Sequence, residues 1–137
     1  MGQYSYRFHD VFHLSYAAIL GWSPVTRAIL KCKRKSDSKV DEVEDGGRAT
    51  VIEEGISAFV YDYARKHAYL ESIASPDYQL LKTIKALTSD LEVNECSSGD
   101  WERSILEGYK VWRGMKKNKG GYVSVDLNRQ TISYQKP

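Results

Sequence analysis

The chain is expected to fold as a mainly α-helical bundle of about five helices with a small carboxy-terminal β-hairpin. Three observations predict this. Apolar residues recur three and four apart through most of the length. Ser-Pro pairs at 23–24 and 75–76 have the form of helix starts. After Gly120-Gly121 the apolar spacing changes to two.

The elements follow in order. Phe12, His13, Tyr16, Ile19 and Leu20 predict a first helix over 8–20, ended by Gly21. Ser23-Pro24 opens a second helix, VTRAILKCKRK, whose basic last turn suits the negative end of the helix dipole. SDSK at 36–39 is a polar loop, and a long helix over 41–68 follows. Ser75-Pro76 starts a helix with Leu80, Leu81, Ile84, Leu87 and Leu91 on one stripe. CSSGD at 96–100 is a loop with Asp100 as cap. Trp101, Ile105, Tyr109, Trp112 and Met115 then form another stripe. Over 121–135, Val123 and Val125 alternate toward Ile132 and Tyr134 around the turn-prone Asn128-Arg129, which reads as the hairpin.

Bulk composition narrows the function classes. A length of 137 residues fits one domain, 1–137, with a single core. Its 42% hydrophobic content argues against a disordered chain. A net charge of +2 lacks the basic excess of a general nucleic-acid binder. Cys32 and Cys96 form neither a disulfide scaffold nor a C-x-x-C pair, so a reducing cytoplasm is expected. Arg7, His9, Asp10 and His13 interrupt the apolar residues of 1–20, so no signal peptide is expected. Nothing approaches the roughly 18 apolar residues of a membrane span.

The stretch DEVEDGGRATVIEEGIS at 41–57 poses the functional question. At about 100° per residue, Ala49, Ile52, Ile56, Val60 and Tyr63 share one face. Asp45 falls inside that face, Glu42 and Glu53 at its edge, and Glu54 and Ser57 beside Glu53; Arg48 flanks it. Carboxylates on a buried face need partners or a cation. Either this end of the helix projects into solvent, with Arg48 and the basic run at 31–35 as ion-pair partners, or the acids gather a hard divalent cation such as Mg²⁺. Gly46-Gly47 between the acids marks a bend, a close backbone approach or a helix boundary.

Other polar residues sit on apolar ground. His9 and His13 lie at i and i+4, with Asp10 beside them. They suit a transition metal, contact with a nucleotide base, or a satisfied core pair. Phe8, Phe12 and Trp22 nearby suit a stacking wall or the core. Lys31, Lys33, Arg34, Lys35 and Lys39 form either a solvated face or a polyphosphate cradle next to the acids. KKNKGG near the carboxy terminus reads as a helix end and turn. No Walker, Rossmann, G-x-S-x-G or strong zinc pattern is present.

The run YRFHDVFHLSYAAILGWSPVTRAILKCKRKSDSKVDEVEDGGRATVIEEGISAFVYDYA resembles the carboxy-terminal MazG-like segment of longer bacterial proteins in the MazG nucleotide pyrophosphohydrolase superfamily. The similarity continues through DWERSILEGYKVWRGMKKNKGGYVSVDLNRQTISY, so it covers most of the chain. FHDVFH, the WSP cap, KRKSD and DEVEDG…EEGIS carry it. The resemblance implies a MazG-like helical bundle that cleaves a nucleoside triphosphate to monophosphate and pyrophosphate, using Mg²⁺ on helix carboxylates, in a homo-oligomer such as a dimer or tetramer. The superfamily pattern is E-E-x-x-E on one helix and E-x-x-D on the next. Here Asp41-Glu42-x-x-Asp45 matches the first, and Glu53-Glu54 the second, with Ser57 where the aspartate belongs.

The resulting expectation is a Mg²⁺-dependent pyrophosphohydrolase-like domain. Glu42, Asp45, Glu53 and Glu54 hold the metal, Asp10 can join them, and a carboxylate takes the proton of the attacking water. Lys33, Arg34, Lys35 and Arg48 contact the phosphates, and His9, His13 and Trp22 lie near the nucleoside. The rival is a domain that binds nucleotide or mediates assembly without hydrolysis, favoured by the missing aspartate. A third possibility is a mixed His and carboxylate site preferring Mn²⁺.

Overall fold

A computed structural model of the chain describes residues 10–26, 47–71 and 76–137. Helix α1 (Asp10–Ser15) continues as a π-helical turn over Tyr16–Leu20 and stops at Gly21, as its sequence predicts. Gly21 has a φ of 67°, the left-handed conformation that ends helices and that glycine adopts freely. A new helical turn opens at 24–26 behind Ser23, whose Oγ accepts the Thr26 N–H at 3.1 Å. The Ser-Pro pair therefore works here as a start signal. The rest of that expected helix, and the loop at 36–39, lie outside the described residues.

Helix α2 (Gly47–Arg65) is described from Gly47 and ends short of the expected 68. A turn follows in which Ala68, Tyr69 and Leu70 take φ values of 54°, 52° and 63°. This left-handed turn drops Leu70 into the core and reverses the chain. Helix α3 (Tyr78–Leu87) corrects the expected cap. Asp77, not Ser75-Pro76, caps it, with its carboxylate accepting the Gln79 N–H at 3.0 Å. An anion gains more from the positive helix end than a serine does. Leu80, Leu81 and Ile84 are buried as expected. Leu87 is 38% exposed, and Leu91 is buried from beyond the helix. At its end both the N–H and the hydroxyl of Thr88 donate to the Ile84 carbonyl, the hydroxyl at 3.0 Å.

Helix α4 (Ser98–Lys117) is capped by Ser97, and Asp100 is its reciprocal partner rather than the cap itself. Ser97 Oγ accepts the Asp100 N–H at 3.1 Å, and the Asp100 carboxylate accepts the Ser97 N–H at 2.9 Å. The stripe Trp101, Ile105, Tyr109, Trp112 and Met115 is buried throughout. Strands β1 (Tyr122–Asp126) and β2 (Thr131–Gln135) pair antiparallel, with Val123 opposite Tyr134 and Val125 opposite Ile132. Asp126 shapes their loop by accepting the Asn128 and Arg129 N–H groups, each at 3.0 Å.

The architecture is thus predominantly helical with a small carboxy-terminal hairpin, as the periodicities predict. Helix α4 is its axis. Helix α1 lies against it through Phe12 and Tyr109, whose rings are 4.5 Å apart, and through Ser15 Oγ, which donates to the Ser104 carbonyl at 2.6 Å. Tyr16 and Trp22 meet Trp101 edge-on at 5.5 and 6.1 Å. The hairpin covers the other end of α4 by laying Tyr134 over Gly114. Among the described residues no helix is long and apolar enough to cross a membrane.

Candidate functional site

Helix α2 buries Ala49, Glu53, Ile56, Val60 and Ala64, successive positions three or four apart. Glu53 therefore lies at the centre of the buried stripe with no exposed surface, not at its edge. Ile52 and Tyr63 are only half-buried. The contact row follows Glu53 rather than Ile52 because partners for a carboxylate converge there.

Among the described residues three donors reach it. The Val25 N–H donates to Oε1 at 3.0 Å. Ser23 Oγ donates to Oε2 at 2.6 Å. His13 Nδ1 stands 2.5 Å from the same Oε2. Glu53 thus sits on the positive end of the helical turn opened by Ser23-Pro24, where unpaired N–H groups favour an anion. The capping serine that holds its own helix start also holds a carboxylate from α2.

His13 bridges the two adjacent glutamates. It is 2% exposed, and its Nε2 stands 2.5 Å from Oε1 of Glu54. The second contact has the distance of an ion pair without hydrogen-bond alignment. Each ring nitrogen thus has a carboxyl oxygen beside it, so His13 ties the two glutamates together whichever group carries the shared proton. The Glu54 side chain is 52% exposed, so one face of this pair opens to water while the other is sealed.

Ser57, one turn beyond Glu53, is not idle. Its hydroxyl donates back to the Glu53 carbonyl at 3.1 Å, and Tyr16 Oη stands 3.4 Å from Ser57 Oγ. Since the serine proton is already committed, Tyr16 donates in that contact. Burial drives the Tyr16 hydroxyl far above its ordinary range, with the Ser57 hydrogen bond opposing only part of the shift. It stays a neutral donor.

The other expected site residues are distributed as follows. Trp22 is buried against Trp101, and its indole N–H finds no hydrogen-bond acceptor among the described residues. Phe12 belongs to the core. Arg48 points to solvent and pairs with Asp90 at 2.7 Å, which holds that carboxyl below the usual range. Asp10 opens α1, but its side chain lies outside the described atoms. Glu42, Asp45, His9, Lys33, Arg34 and Lys35 lie outside the described residues as well.

Among the described residues no group of three or more His, Cys, Asp or Glu side chains forms a metal site. What they offer a hard cation is Glu54, an oxygen donor half-open to water; Glu53 would have to surrender a donor to join it. The sequence reading missed Ser23, Tyr16 and the Val25 N–H as site members. One signal was available: the Ser23-Pro24 helix start leaves N–H groups that call for an anion.

A model of the MazG C-terminal domain matches residues 2–137. Comparison with curated proteins gives no match, and neither does comparison with solved structures.

Proposed function

The chain belongs to the MazG C-terminal domain family, and from that premise we propose that it is a Mg²⁺-dependent nucleoside triphosphate pyrophosphohydrolase-like domain. The reaction gives the nucleoside monophosphate and pyrophosphate. The observation that carries the reading is the His13 bridge between Glu53 and Glu54. Two ionisable side chains, His13 and Glu53, are buried there against each other, which packing alone does not require.

The two glutamates take different parts. Glu53 is the rear post: its three donors hold it, and through His13 it sets the position of Glu54. Glu54, with Glu42 and Asp45, would hold Mg²⁺, and Asp10 is placed by sequence to join them. Oxygen donors suit that ion, which keeps several waters and substrate phosphates around a few carboxylates. When bound, the cation supplies Lewis acidity at the phosphoanhydride. The protein's own groups do the rest. A carboxylate of this set accepts the proton of the attacking water. Lys33, Arg34, Lys35 and Arg48 hold phosphate oxygens, and His9 bounds the nucleoside, while Trp22, buried against Trp101, serves the core. A cytoplasmic homo-oligomer is part of the reading.

The test is direct. Purified protein is incubated with a panel of NTPs and dNTPs plus Mg²⁺, and monophosphate and pyrophosphate are assayed together. Equal amounts of both, abolished by EDTA and by Glu54→Gln, are expected. Product that survives Glu54→Gln combined with Glu42→Gln overturns the metal assignment.

One observation favours a second reading. Ser57 occupies the place of the motif aspartate and is tied to the helix backbone, while Glu53 has its oxygens engaged. A domain so arranged could bind nucleotide or mediate assembly without turning nucleotide over. A nucleotide-dependent rise in melting temperature with no product would select this reading.

A further inference from the structure

A second concave site lies at the other end of α2, roughly 18 Å along the helix axis from Glu53 to Arg65. A groove of about 460 Å³ opens there between the left-handed turn and the last turns of α4. That size suits a small organic ligand. Tyr69 and Trp112 form its wall, with rings 4.8 Å apart and tilted by 31°. Tyr61, 40% exposed, packs beside them, 6.3 Å from Tyr69 and 6.4 Å from Trp112.

The charge of the groove is one-sided. Among the described residues Arg113, Lys116 and Lys117 line it against one acid, Glu71. None of the three cations is in an ion pair among the described residues. Lys116 Nζ instead rests over both rings, 5.2 Å from the Tyr69 centroid and 4.9 Å from that of Trp112. This is where a flat ring would lie. A lysine held there only by ring quadrupoles can swing aside on its flexible stem toward an anion.

The wall is built at a conformational cost. Ala68, Tyr69 and Leu70 hold φ values of 54°, 52° and 63°, which side chains of L-residues resist. Arg113 fixes the turn by donating to the Tyr69 carbonyl at 2.8 Å. Leu70 is buried by the turn, and Tyr69 is half-buried, packed against the core and lining the groove. Sparsely populated backbone of this kind gathers at ligand clamps.

We propose that this groove binds a small ligand made of a planar aromatic ring and an attached anionic group. The ring stacks on Tyr69 in place of the Lys116 ammonium, and the anion is held by Lys116 and Lys117. Both a nucleoside monophosphate and an aromatic carboxylate have this chemistry. The inference is independent of the hydrolase reading, since the groove shares no residue with the His13–Glu53–Glu54 site.

The experiment is calorimetric titration of the intact protein in EDTA, which silences any site that needs a divalent cation. The probes are AMP, indole-3-acetate, adenosine and inorganic phosphate. AMP or indole-3-acetate should bind one per chain, at least about tenfold tighter than adenosine or phosphate alone. The tighter of the two names the source of the anion. Lys116→Gln with Lys117→Gln, both exposed substitutions, should weaken that binding by about tenfold or more. Glu54→Gln should leave it unchanged. If neither ring-bearing anion binds, if phosphate alone binds equally well, or if the double lysine variant binds as wild type, the proposal is overturned.

Discussion

Helices α2 and α4 have similar lengths but reach their positions by different physical means. Helix α4 buries Trp101, Ile105, Tyr109, Val111, Trp112 and Met115, a stripe of large side chains. Full burial of such side chains contributes about 1.5–3 kcal/mol each, so α4 is held by apolar area along its whole length. Helix α2 buries two alanines, Ile56 and Val60, and at its centre the carboxylate of Glu53. Its amino-terminal half is located by a polar lock that joins it to α1 through His13 and to the next helix start through Ser23 and Val25. An apolar stripe tolerates small shifts, whereas a buried carboxylate with three donors accepts one position. The helix that carries the candidate chemistry is the one located by directional bonds.

Breaking the lock should have the largest effect. Glu53→Gln leaves His13 and two other donors around a neutral amide, and loss of one partner from a buried ion pair costs about 3–5 kcal/mol. Urea unfolding should show a loss of that size. His13→Gln should also destabilise, and the two losses should fall well short of adding in the double variant, because each single substitution already breaks the shared His13–Glu53 contact. Additive losses would mean that His13 and Glu53 do not act as a unit.

The apolar helix has its own weak point, where the hairpin meets it. A Cβ at Gly114 would stand 2.6 Å from Cδ2 and 2.8 Å from Cε2 of Tyr134. The ring is tethered, because its hydroxyl donates to the Gly120 carbonyl, and it lies so near Gly121 that a Cβ there would stand 2.5 Å from its Cε1. Alanine in place of helical glycine gains about 1 kcal/mol from propensity. Overpacking costs about 1–3 kcal/mol, and a contact this short falls at the upper end. Gly114→Ala should therefore lower stability by about 1–2 kcal/mol, read as a lower urea midpoint. The penalty should disappear in a Tyr134→Ala background; if it persists there, the clash is not its cause.

The same contrast explains what was legible in the sequence. The α4 stripe, the hairpin and the stop at Gly21 are short-range patterns, and each stands where the spacing places it. Among the described residues the start at Ser23-Pro24 stands as expected, that of α3 lies within two residues, and the cap of α4 lies three residues earlier than expected. Asp77 replaces Ser75-Pro76 because the anion gains more from the helix end, and Asp100 serves as the partner of Ser97 because its carboxylate reaches back to the Ser97 N–H. The presence of Glu53 and His13 on apolar ground was visible as well. Their pairing was not, since it spans 40 residues and depends on how three elements meet. Helix phase gave the side of α2 but placed Glu53 at the edge, because a wheel weights apolar residues and cannot see donors on a neighbouring helix. The left-handed turn had no local signal at all. Ala68, Tyr69 and Leu70 contain no glycine or asparagine, and only the packing of Leu70 and Tyr69 explains it.

The smallest expected effect concerns the cap of α4. Ser97 and Asp100 lie on the surface, and their reciprocal bonds satisfy two N–H groups that water could otherwise serve. Ser97→Ala should cost about 1 kcal/mol, the usual size of a lost serine cap. The α4 stripe should hold the helix in place regardless, so near-ultraviolet circular dichroism should be unchanged while the urea midpoint falls. A change in the aromatic signal would mean that the capping box positions Trp101, four residues on. In that case α4, too, would rely on directional bonds at its amino-terminal end, and the contrast with α2 would be confined to the centres of the two helices.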